Sequence, residues 1–101
     1  MVRVLSTKEF DTWEKLLSKD YQEQIDDIIK QLKQSLEVGK PLGYPFFREK
    51  KMGKYRIFFL VYDDKNTVLL ITISDKKAQQ ETIDKIKEQL DYYREIIKKQ
   101  I

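Results

Sequence analysis

Residues 39–62 read Gly39-Lys40-Pro41-Leu42-Gly43-Tyr44-Pro45-Phe46-Phe47-Arg48-Glu49-Lys50-Lys51-Met52-Gly53-Lys54-Tyr55-Arg56-Ile57-Phe58-Phe59-Leu60-Val61-Tyr62. Gly39, Pro41, Gly43 and Pro45 end a helical pattern that runs up to this point. Residues 46–51 then form a strand, Met52-Gly53 a turn, and residues 55–62 a second strand. That second strand is apolar on both faces except at Arg56, the pattern of a strand inside a sheet. The same stretch concentrates charge. Residues 38–56 carry six Lys or Arg and one Glu, a net of +5, whereas the rest of the chain carries fourteen and sixteen, a net of −2. A basic face of this density points to a polyanionic partner, because the summed field draws phosphates in.

Working outward, Val2-Arg3-Val4-Leu5 alternates and predicts a short strand. Ser6-Thr7-Lys8-Glu9 has the form of a capping box. The helix it opens places Phe10, Trp13, Leu16 and Leu17 on one face. Asp20-Tyr21-Gln22-Glu23 resembles another helix start, and Ile25, Ile28, Ile29, Leu32 and Leu36 keep amphipathic spacing behind it. Joined by so few residues, the two helices should form an antiparallel hairpin. On the other side, Asp63-Asp64-Lys65-Asn66 has turn chemistry and residues 67–74 predict a third strand. Ser74-Asp75 can cap a last helix over 76–101, with Ile83, Ile86, Leu90, Tyr93 and Ile97 three and four apart. That stripe fits either packing on the chain's own sheet or a homodimer seam. Trp13 and the Tyr92-Tyr93 pair read as packing residues.

The length of 101 residues predicts one domain over 1–101 with one modest core. No apolar run reaches the roughly 20 residues of a membrane-spanning helix, and the first residues do not form a secretory signal. A cytoplasmic protein with no membrane partner is the expectation. The chain has no Cys and no His. Thiolate nucleophiles, Cys-based zinc sites and serine–histidine chemistry are therefore excluded, and the expected cofactor and metal complement is none. Any catalysis rests on Lys, Arg, Tyr or carboxylates.

The order β-α-α-β-β-β-α predicts an α+β fold: a helical hairpin on a three- to four-stranded antiparallel sheet, with a long C-terminal helix. That order, the Gly39–Gly43 segment, the Arg48/Lys50 strand and Gly53-Lys54-Tyr55-Arg56-Ile57-Phe58-Phe59 together resemble the RelE/ParE superfamily of toxins from type II toxin–antitoxin systems. The resemblance covers about the first 80 residues. It implies a cognate antitoxin as partner and, in the RelE-like branch, metal-independent cleavage of ribosome-bound mRNA by attack of the neighbouring 2′-hydroxyl. ParE-like members inhibit DNA gyrase instead, so a non-cleaving member that acts by binding is the alternative.

By the resemblance, Arg56 matches the family's Tyr-Arg position. Arg48 and Lys50 match the alternating basic pair before the turn, and Lys76 and Lys77 match the basic segment after the last strand. These five are the candidate catalytic residues. Lys40, Lys51 and Lys54 are candidate phosphate contacts. Tyr44 and Tyr55, which flank the basic hairpin, are candidates to stack bases of single-stranded RNA. Where the family often has an Arg followed by a Tyr, this chain reads Lys76-Lys77-Ala78-Gln79-Gln80-Glu81-Thr82-Ile83.

Overall fold

In the computed structural model, which describes residues 1–100, the strand containing Arg56 lies at the centre of a five-stranded sheet. The strands are β1 (Arg3–Ser6), β2 (Lys40–Pro41), β3 (Phe47–Met52), β4 (Tyr55–Tyr62) and β5 (Thr67–Asp75), in the order β1-β5-β4-β3-β2. The four expected strands are β1, β3, β4 and β5, and β2, only two residues long, is the addition. β1 is not antiparallel as expected, which makes the sheet mixed. It runs parallel to β5, pairing Arg3 with Thr67 through to Ser6 with Leu70. Parallel partners need a long connection, and here the helical hairpin and the meander supply it. Nothing local in a four-residue strand shows its direction.

The helical hairpin is α1 (Lys8–Leu16) and α2 (Lys19–Gln34). Thr7, not Ser6, caps α1. Its hydroxyl accepts from the Phe10 N–H at 3.1 Å and donates to the Ile71 carbonyl at 2.6 Å, tying the helix start to the sheet. The Ser6 hydroxyl instead donates to the Asp11 carboxylate at 2.6 Å. Ser18 caps α2, two residues before the expected start. Phe10, Ile25, Ile28 and Leu32 pack on Ile57, Phe59, Val61, Val68, Leu70 and Ile73. Leu16, expected on this inner face, is 79% exposed because α1 ends there, and Leu17 turns inward in its place.

The sheet's other side carries α3 (Gln79–Glu88) and α4 (Leu90–Gln100), where one helix was expected. They part at Gln89, whose N–H bonds the Ile86 carbonyl at 2.9 Å in a tightened turn. An unbroken helix over both segments would be about 33 Å long, and the molecule measures 33 × 29 × 23 Å. The break keeps both segments against the sheet. Ile83, Ile86, Tyr93 and Ile97 are all buried with Phe47, Phe58, Leu60, Leu69 and Ile71. The stripe that a dimer seam would use is thus covered by the chain's own sheet. No helix among the described residues is long and apolar enough to cross a membrane.

At the end of β4 the Tyr62 hydroxyl is buried, with no hydrogen-bond partner among the described residues. Burial pushes its pKa up to about 12, opposed by the Arg94 guanidinium and supported by Tyr93. A folded-state value above the ordinary 10.0 means that the neutral phenol favours the folded state. That stability is fully present below pH 10.0 and is lost as pH rises through about 12. Tyr62→Phe removes an unpaired buried hydroxyl and is expected to raise stability by about 1 kcal/mol. Urea unfolding at neutral pH and in the alkaline range checks both effects: the variant's gain should grow as the pH rises.

Candidate anion-binding site

The site is decided by one turn. Gly53 and Lys54 join β3 to β4, and Gly53 has φ +59, the left-handed backbone that the first position of a type II′ turn requires. The turn therefore lies one residue later than the expected Met52-Gly53. Met52 pairs with Tyr55, so Lys51 faces Arg56, Lys50 faces Ile57, Glu49 faces Phe58 and Arg48 faces Phe59. Opposed residues share a face, and moving a two-residue turn by one position changes the pairing by two residues and so keeps each face. Arg56, Lys51 and Glu49 consequently lie on the α3/α4 side. Arg48 and Lys50 lie on the helical-hairpin side, with the Arg48 Nε donating to the Pro45 carbonyl at 2.8 Å.

A second register device acts on β5. Phe59 pairs with Leu70 but Phe58 pairs with Thr72, which leaves Ile71 as the extra residue of a β-bulge. Beyond it Arg56 faces Ser74; without it Arg56 would face Ile73. Lys51, Arg56 and Ser74 thus form a row across three strands. Lys51 is exposed and Arg56 half-buried, while Ser74 is buried with its hydroxyl donating to the Asp75 carbonyl at 3.0 Å. The next row on this face is Lys40, Glu49, Phe58 and Thr72.

The sequence allows a salt bridge from Arg56 to Glu49, but the structure does not make one. Among the described residues the one ion pair within 4.0 Å is Lys98–Glu95. Glu49 is buried, and both its oxygens accept from the Gln79 Nε2 at 2.8 Å. Among the described residues no carboxylate lies within 4.0 Å of the Arg56 guanidinium at the rim. Next to it, the Asp75 Oδ1 accepts from the Ala78 N–H at 2.9 Å and closes the turn that carries exposed Lys76 and Lys77. That turn leaves the sheet directly beside the Arg56 row.

The two tyrosines fall elsewhere. Tyr55 is on the opposite face, edge-on to Trp13 and Tyr21 at 5.9 and 5.0 Å, with the Lys54 Nζ 5.3 Å from its ring centroid. Tyr44 stacks on Phe46 at 5.0 Å with the Lys87 Nζ 5.9 Å away. Phe46 accepts from the Val61 N–H, five residues along β4 from Arg56, roughly 17 Å at 3.4 Å per residue. Of the ten candidates, Arg56, Lys51, Lys76 and Lys77 come together at the rim, with Lys40 one row away and Lys54 in the adjoining turn. Gln79 is the residue that sequence reasoning passed over, since no motif marks it, and it takes the Glu49 carboxylate that the sequence offered to Arg56.

Chemically, the rim offers flexible ammonium groups and one planar guanidinium with five N–H donors, suited to the oxygens of a phosphate. The only carboxylate in the two rows is Glu49, and Gln79 occupies it. Among the described residues no group of His, Cys, Asp and Glu could hold a metal ion.

A family model for the ParE toxin of the type II toxin-antitoxin system, parDE, matches residues 6–80. No curated protein matches the chain. Among solved structures, the toxin in the intact Escherichia coli RelBE toxin–antitoxin complex is 20% identical, with 74% of this chain and 96% of that chain covered and a TM-score of 0.65. The isolated E. coli RelE toxin is 19% identical over 85% and 99% of the two chains, with a TM-score of 0.65. The RelB–RelE complex from Methanococcus jannaschii gives 21% identity, coverage of 77% and 96%, and a TM-score of 0.62. At these identities the structures establish a shared fold.

Proposed function

This chain belongs to the ParE toxin family of type II toxin–antitoxin systems and has the RelE fold, and from that premise we propose that it arrests translation by cutting ribosome-bound mRNA. The observation that carries this reading is the row Lys51–Arg56–Ser74, with no carboxylate within 4.0 Å of Arg56 among the described residues and Lys76-Lys77 beside it. In the proposed reaction the 2′-oxygen attacks phosphorus and the bond to the 5′-oxygen breaks, leaving a 2′,3′-cyclic phosphate and a 5′-hydroxyl. Arg56 and Lys51 hold the non-bridging oxygens and stabilise the charge that builds on them. Lys76 or Lys77 donates a proton to the departing 5′-oxygen, and the 2′-hydroxyl proton passes to solvent. The cognate antitoxin is the proposed protein partner, as RelB is for the RelE chains solved in complex.

A second reading, a toxin that binds without cutting and targets gyrase, is favoured by a separate observation. Among the described residues, the rows that hold Arg56 and Glu49 carry no Tyr or His, and their one carboxylate is held by Gln79. Translation in vitro followed by primer extension separates the two. Discrete mRNA cuts made by the wild-type protein support the first reading. Intact mRNA together with blocked DNA supercoiling overturns it in favour of the second.

A further inference from the structure

We propose that Gln79 and Glu49 form a positioning clasp: their hydrogen-bonded pair fixes the Lys76-Lys77 turn beside Arg56 and keeps the Glu49 charge turned away from the Arg56 guanidinium. The inference rests on the reading that the Arg56 row binds RNA phosphate, and it adds two residues that the family resemblance does not supply.

The start of α3 has little else to hold it. Ala78 stands at its N-cap without a side-chain cap. The Gln79 N–H reaches the Lys76 carbonyl at a loose 3.4 Å, and the Asp75–Ala78 bond belongs to the turn itself. In the first turn of α3, Gln80 and Glu81 are exposed and Gln79 and Thr82 half-buried, so the first buried apolar anchor is Ile83. The Asp75 carboxylate ties the turn to its own strand, β5, and the Gln79 amide joins it across the sheet to β3. That amide lies 2.8 Å from both oxygens of a carboxylate that is 8% exposed. A buried carboxylate requires a donor, and a hydrogen bond to a charged group is about twice as strong as a neutral one. With no Lys or Arg nitrogen within 4.0 Å of Glu49 among the described residues, Gln79 fills that role. Released, Glu49 would be drawn to Arg56, its diagonal neighbour across the β3–β4 ladder, and would cancel the charge that a phosphate needs.

The test exchanges the pair. Amide hydrogen exchange over residues 76–82 and affinity for a 2′-O-methyl RNA oligonucleotide, which cannot be cut, are measured for wild type, Gln79→Glu, Gln79→Ala and the double variant Glu49→Gln/Gln79→Glu. Both single variants are expected to speed exchange and weaken RNA binding by about ten- to a hundredfold, the loss of one hydrogen bond to a charged group. The double variant restores a carboxylate–amide pair and should recover both to within about threefold. Amides of β4 serve as the folding control. Unchanged exchange in the single variants, or no recovery in the double variant while β4 stays protected, overturns the clasp. If exchange responds as expected but wild type binds no RNA, the clasp stands and the RNA reading falls.

Discussion

Arg56→Ala is expected to lower mRNA cutting by about 10²- to 10³-fold, the usual cost of removing one preorganised donor from a developing oxyanion. The side chain is half-buried and has no carboxylate within 4.0 Å among the described residues, so the variant should fold as the wild type does. Binding of an uncut RNA should weaken less than cutting, because a charge-stabilising donor acts more on the transition state than on the ground state. The control is built into the hairpin. Lys50→Ala changes a residue one position from Lys51 but on the other side of the sheet. It should alter cutting by no more than about twofold, the range of an ordinary surface substitution. Lys51→Ala should fall between the two. Primer extension on translated message reads all three, and equal effects from Lys50 and Lys51 would rule out a site on the α3/α4 face.

Phe58→Ala should be the most damaging single truncation to stability. Phe58 is fully buried on β4, 6.5 Å from the Phe47 ring, in the core that α3 and α4 close. Phe-to-Ala changes in cores cost about 3–5 kcal/mol, against about 5–15 kcal/mol for a whole small domain. At about 4 °C or more per kcal/mol, a melting temperature roughly 12 °C lower or worse is expected. Leu16→Ala is the contrast. Leu16 is equally apolar but 79% exposed at the end of α1, and its loss should stay within about 0.5 kcal/mol. Thermal unfolding by circular dichroism distinguishes them.

These two outcomes show what the residues themselves could and could not reveal. The helical hairpin was legible because Ile25, Ile28 and Leu32 repeat at helical spacing, and all three are buried. β4 was legible because an apolar run interrupted by one Arg fits only an inner strand. The faces of β3 were not. Its residues alternate in type too weakly to show which face meets which layer, although a two-residue turn at either position leaves Arg48 and Lys50 on the face away from Arg56. The break at Gln89 was equally silent, since no Gly or Pro marks it and its cause is the size of the surface that the helix covers. Glu49 looked like a cross-hairpin partner for Arg56 because its true partner, Gln79, is thirty residues away.

The bulge at Ile71 gives β5 two phases. The half beside β1 is committed to the core and counts its side chains in one rhythm. The half beyond the extra residue counts in the other, sending Ile73 to the helical hairpin and Ser74 to Arg56. One strand thereby serves both layers beyond the bulge as well: Ile73 stays in the core under the helical hairpin, while Ser74 stands opposite Arg56 on the α3/α4 side. An insertion or deletion at this single position would exchange those two faces and leave the pairing with β1 untouched.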